Sequence, residues 1–154
     1  MEEQEKQQQQ GSFFRFEDLR VYHKSLDYYQ WLKDQVKNFE EFDFKTIGKP
    51  LLKAAANIST NIAEGSARHK SQFVIFLKDA KTALRECVVR TTMASKSHAL
   101  NEEQTAFSNE QLAEMTKMLG AMIISLQRNG QRDSRSEYPQ EQNITTDIDS
   151  SFEY

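Results

Sequence analysis

"NISTNIAEGSARHKSQF", residues 57–73, decides how this chain folds. Asn57, Ser59, Thr60 and Asn61 are poor helix formers, yet Ile58 and Ile62 keep a helical step through them. Followed upstream, the step continues through Ile47, Leu51 and Ala55. That spacing is one face of an amphipathic helix from about Thr46 to Ala67. Pro50 falls in its first turn, where a missing N–H costs little. Gly65 and the basic turn after it release the chain into the next segment. The polar residues on such a helix fit three roles: an active site, a nucleic-acid grip or internal glue.

Three more segments carry the same periodicity, and no segment alternates as a strand would. The first begins near Phe16 and steps through Leu19, Tyr22, Leu26, Tyr29, Leu32, Val36 and Phe39. Phe13, Phe14 and Phe16 precede it and are expected to fold back over the end of a bundle. The third starts near Ser71, a good N-cap residue, and shows Phe73, Phe76, Ala80, Leu84, Cys87, Thr91 and Ala94. The fourth is expected from Ser108, with Leu112, Met115, Leu119, Met122 and Leu126. Its alternation of threes and fours suits near-parallel helix packing. Met115, Met118 and Met122 read as core filler, and Gly120 as a point of close helix contact. Four such helices on short links predict an all-α, antiparallel up-and-down four-helix bundle.

The 154 residues are enough for one domain with a moderate core. Only 38% are apolar and 28% are charged, so part of the chain is expected to stay unpacked. Residues 1–12, "MEEQEKQQQQGS", are low in complexity and read as a disordered tail; residues 130–154 are polar and aperiodic and read as a second one. Ile144, Ile148, Phe152 and Tyr154 in the second are candidates for a short docking element. The "NIT" at Asn143 fits a glycosylation acceptor, which carries no meaning in a cytoplasmic protein. The bundle is bounded at 13–129. The net charge of −3 is uneven: −2 over residues 1–12, −4 over 130–154, and 17 Lys+Arg against 14 Asp+Glu, or +3, between them. No apolar run is long enough to span a membrane, and the start is not a signal peptide. The chain is therefore placed in the cytoplasm.

No catalytic or metal chemistry has a local signature. Cys87 is the only cysteine, so no intramolecular disulfide forms, and its helical spacing reads as a small buried apolar residue. His23, His69 and His98 have no partner at a ligand spacing. Glu64 and Glu86 suggest a di-metal bundle site, but that arrangement needs Glu-x-x-His, and "EGSARH" separates Glu64 from His69 by five. There is no glycine-rich phosphate loop. The reading is a non-enzyme with no cofactor, no metal and no evident small-molecule substrate.

At about 100° per residue, Asn57, Asn61, Glu64 and Arg68 share a stripe roughly 100° from the apolar face of their helix. That is a boundary position, from which a polar residue reaches a neighbouring helix or subunit. With Glu86 they make a candidate structural or interface network. Glu64 and Arg68 are also an i, i+4 pair in the favourable order, worth a few tenths of about 1 kcal/mol when exposed. Lys70, Lys78, Lys81 and Arg85 cluster on one side of the third helix, and with Arg68 they make a candidate nucleic-acid contact. No aromatic residues interleave with them, so single-strand stacking is not indicated.

"FEDLRVYHKS" (16–25), "NIAEG" (61–65), Arg68, Phe73, "FL" (76–77), Ala80 and Glu86 resemble the four-helix bundle family named after proteins encoded in 23S rRNA intervening sequences. The similarity spans about residues 16–128. Tyr22 stands where that family often has Trp, and Thr82–Ala83 where it often has Gly–Ser. The resemblance implies a ring-shaped homopentamer. It also implies kinship with the accessory proteins of diversity-generating retroelements, basic pentamers that associate with a reverse transcriptase and nucleic acid. Two readings follow. One is an oligomeric scaffold that binds RNA or a nucleoprotein partner. The other is a protein-interaction module whose polar stripe only holds the oligomer together.

Overall fold

The computed structural model describes residues 13–137, with side-chain surroundings as far as Gly130. Both expected tails, apart from the stretch 130–137, and the docking candidates Ile144, Ile148, Phe152 and Tyr154 lie outside the described residues. A 3-10 turn, Arg15–Asp18, leads into α1, Arg20–Val36. One helical turn, Glu41–Asp43, runs through a π turn, Phe44–Gly48, into α2, Lys49–Ser66. Then come α3, Lys70–Lys96, and α4, Glu102–Glu137. There is no strand among the described residues.

Cross-helix bonds fix the directions. Lys24, Tyr28 and Gln35 on α1 meet Gln111, Ser108 and Gln104 on α4, so one number rises as the other falls. The core is continuous through Leu32 on α1, Leu51, Ile58 and Ile62 on α2, Leu77 and Leu84 on α3, and Leu112, Met115 and Leu119 on α4. A second small cluster of Ile47, Ala94 and Leu100 closes the opposite end from Arg15–Asp18. The architecture is the antiparallel four-helix bundle that the periodicity predicts.

Several details differ from the sequence reading. The buried face of α1 is Val21, Ser25, Tyr28, Leu32 and Val36, while Leu26 is 40% exposed and Tyr22 and Tyr29 are half-buried. The helix has two apolar stripes, and the one richer in polar tips won because its hydroxyls find partners inside. On α3, Phe73 and Phe76 are half-buried, and Val74 and Leu77 take the core positions. That helix begins at Lys70, so Ser71 is not its cap. On α4, Ser108 is not a cap either: it is fully buried in mid-helix. The true start is a capping box, in which the Gln104 N–H donates to Asn101 Oδ1 (2.8 Å) and the Asn101 N–H donates to Gln104 Oε1 (2.9 Å). The same helix runs beyond residue 129 to Glu137.

Gly65 also differs. It lies inside α2 with ordinary helical backbone, and it does not form the turn. A Cβ there would sit 2.6 Å from Phe76 Cβ and 2.8 Å from the Phe73 ring. The glycine is needed for the close approach of α2 and α3. The residue with a left-handed backbone is His98, φ 61°, just past the end of α3. Around it the Ala99 N–H donates to Ala94 O (2.9 Å) and the His98 N–H to Ser95 O (3.1 Å), the two bonds of a Schellman ending.

Candidate nucleic-acid and subunit interface

The end of α2 carries the first candidate stripe. Asn57 is exposed and Asn61 half-buried, and Asn61 Nδ2 donates to Asn57 O at 2.8 Å. One turn on, Arg68 donates to Glu64 Oε1 at 2.7 Å, with both side chains about half exposed. The Arg68 guanidinium also lies 5.3 Å from the centre of the Phe76 ring on α3. A cation over a ring face is attracted by the ring's quadrupole, so Phe76 holds Arg68 beside the start of α3. Glu86 pairs instead along its own helix, accepting from Arg90 Nε at 2.9 Å. The structure thus places Glu86 on a separate helix with its own partner. The Asn61 bond closes within α2, the Glu64 bond on Arg68 just past its end, and the Glu86 bond within α3. The Arg68–Phe76 contact reaches from the end of α2 to α3.

The second stripe follows α3. Lys70 and Arg85 are exposed, and Lys78 and Lys81 are half-buried. Arg85 donates to Thr82 Oγ1 at 3.1 Å. A rigid helix spaces these cations over about 22 Å at 1.5 Å per residue. Because the Phe76 flank of α3 faces Gly65 on α2, the flank with Lys78, Lys81 and Arg85 lies towards α4. Between the flanks, pointing outward, are Ile75, 58% exposed, Val89, 53%, and Met93, 48%. The sequence reading found the cations and missed this apolar ridge. Its signal was present: 75, 82, 89 and 93 keep a heptad-like spacing on the side opposite Leu84.

Further polar contacts join helices inside the bundle, and the sequence reading missed them. Ser25 shares a hydrogen bond with Ser59 (2.8 Å) and also donates to Tyr22 O (2.6 Å). Tyr28 shares one with Ser108 (2.8 Å). Lys24 Nζ donates to Gln111 Oε1 and pairs with Glu114, both at 2.9 Å, and Gln104 donates to Gln35 at 2.7 Å. The clue was that Ser25 and Tyr28 sit at core spacing between Val21 and Leu32.

None of this assembles a nucleophile. Burial pushes the Cys87 thiol up to about 12, helped by the nearby Glu86 charge and opposed by Arg90. Burial likewise raises the Tyr28 phenol well above its ordinary range, and the Ser108 hydrogen bond only partly offsets it. Both groups are neutral at physiological pH. His23 is exposed with its ring against Glu17 O, His69 is exposed at the start of α3, and His98 is exposed in the α3–α4 turn. Among the described residues no three His, Cys, Asp or Glu side chains gather as a metal requires. No described helix is long and apolar enough to cross a membrane.

These features define an all-helical bundle with a basic flank and exposed apolar residues on its outer face and a buried hydroxyl network within. The model of the family described as 23S rRNA-intervening sequence protein matches residues 17–121, and the chain belongs to that family. No curated protein matches the chain. The matched span starts within the 3-10 turn and ends inside α4, so it covers α1, α2 and α3 whole and the first part of α4.

Proposed function

We propose that the chain is a non-enzymatic scaffold that assembles as a homopentameric ring and binds RNA through the basic flank of α3. The observation that carries this reading is the placement of Lys70, Lys78, Lys81 and Arg85 along one rigid 27-residue helix, with Arg68 steadied beside its start. Cations held at fixed spacing gain affinity for phosphates by releasing condensed counterions. Each bundle contributes a net +3 over residues 13–129, so a five-membered ring multiplies a weak charge into a field of about +15. The Asn57, Asn61, Glu64 and Arg68 stripe supports a subunit contact, since it sits at the edge of the core with its polar groups half open to solvent.

Fluorescence anisotropy with a structured RNA tests the reading, with light scattering on the same protein. Affinity should fall steeply with salt and drop at least tenfold in Lys78→Glu/Lys81→Glu/Arg85→Glu, while a pentamer mass is observed. RNA binding that ignores both salt and these three residues would end it. The exposed ridge of Ile75, Val89 and Met93 favours a second reading, a protein-interaction module. One such partner is a reverse transcriptase that this chain serves as accessory subunit. That reading predicts pentamer formation with no RNA affinity at any salt.

A further inference from the structure

The outward face of α3 joins an apolar ridge to a basic flank, and the chain itself carries the complement. Residues 138–154 contain four acids, Glu141, Asp147, Asp149 and Glu153, and no Lys or Arg. Ile144, Ile148 and Phe152 are spaced by four in the same stretch, and an even spacing puts them on one face of an extended segment. We propose that this segment docks back along the outward face of α3 of its own chain. Its apolar residues would seat against Ile75 and Val89, and its acids would meet the Lys78, Lys81 and Arg85 flank.

The geometry permits it. Because α3 and α4 are antiparallel and joined by a short turn, equal rise sets Arg128 level with Lys70. Glu137 then stands about 14 Å beyond the start of α3, and Val89 about 28 Å in from that start. The path from Glu137 back to Val89 is roughly 42 Å, and 17 extended residues span up to about 56 Å. The segment also leaves from the correct side. The basic flank of α3 faces α4, which carries the segment, whereas Asp79 and Glu86 lie on the flank towards α2. On that flank Arg90 pairs with Glu86, so the excess of positive charge lies on the α4 side and steers a four-acid segment there. Removing exposed apolar side chains from water is favourable, and this segment is tethered at high effective concentration.

The docking itself does not require the RNA-binding reading, but its consequence does: the segment would compete with phosphates for the same cations. The test uses the full chain at low salt with a zero-length carbodiimide cross-linker and peptide mass spectrometry. Links from Asp147, Asp149 or Glu153 to Lys78 or Lys81 are expected. In a mixture of isotopically light and heavy protein they should stay within one chain. They should fall at least fivefold in Ile148→Ser/Phe152→Ser, which keeps every charge and leaves the bundle untouched. In the same variant, RNA affinity should rise about threefold. Absent links, links that survive that variant, or links only between chains would overturn the proposal. So would an Ile75→Ser variant whose only effect is to dissociate the oligomer, since a second copy would then cover the ridge. Links without RNA affinity in any variant would leave the docking standing and end the RNA reading; salt-dependent RNA binding without links would do the reverse.

Discussion

Two seams of the same bundle are built on opposite plans. Between α2 and α3 the helices approach through small residues: Gly65 leaves no room for a Cβ against Phe76, and Ala54, Ala55, Ala80 and Ala83 are all buried. Between α1 and α4 the contact is made by polar tips, with Tyr28 on Ser108, Gln104 on Gln35, and Lys24 on Gln111 and Glu114. The first seam is specified by shape. Dispersion contacts are dense there, and a single added carbon is felt. The second is specified by pairing. A hydroxyl buried opposite another hydroxyl adds little net stability, but a shift of register would leave both unsatisfied at a cost of about 1–3 kcal/mol each. One seam resists added volume, and the other resists sliding.

The comparison breaks most readily at Gly65. Gly65→Leu should cost about 3 kcal/mol, because Phe76 Cβ is fixed to the backbone and cannot move aside. Gly65→Ala should cost less, since better helix propensity returns up to about 1 kcal/mol. Thermal denaturation of both variants measures this, and a neutral leucine would show that the seam is not shape-limited. At the other seam, Ser108→Ala should destabilise by about 1–2 kcal/mol by stranding the Tyr28 hydroxyl. Adding Tyr28→Phe should recover part of that loss, and a double-mutant cycle reads the coupling directly. Simple additivity would mean that the two hydroxyls do not depend on one another.

The smallest effect belongs to the Lys24–Glu114 pair. The Lys24 hydrogen bond above all holds the Glu114 carboxyl below its ordinary range, opposed by desolvation and assisted by the charges of Lys24, Arg20 and Lys117. A carboxyl depressed in the folded state stabilises at pH above its unfolded value and loses that contribution as pH falls through its folded value. Glu114→Gln should therefore lower Tm slightly at pH 7, and the gap to the parent chain should close as the solution is acidified below about pH 4. A gap that stays constant with pH would assign the effect to something other than this charge.

Of the shape-limited seam, the sequence showed helix α2 but not its close approach to α3, because Gly65 reads as the release into the turn. Ile47, Leu51, Ala55, Ile58 and Ile62 announce α2 because nothing competes with their spacing. The pairing seam was harder to see for a physical reason. Ser25, Tyr28 and Ser108 are judged polar one at a time, and their burial is tolerable only because each finds a partner more than thirty residues away. Hydropathy therefore favoured the Tyr22, Leu26 and Tyr29 stripe of α1, which is the more exposed one. The start of α4 was readable and missed: "NEEQ" at 101–104 is a capping pattern, but Ser108 stands closer to the first regular apolar step. On the surface, the sequence located both candidate stripes. Spacing alone does not reveal that the Asn61 bond closes within α2 and the Glu64 bond on Arg68 just past its end, nor that Ile75, Val89 and Met93 face outward beside the basic flank.

Cys87 gives the molecule one more property. It is the chain's only thiol, it is fully buried against the core side of α3, and it is held in its unreactive protonated form. A thiol reagent reaches it only when α3 lifts from its neighbours. Every modified molecule therefore records one opening of the bundle, and the labelling rate serves as a native clock for how often that happens.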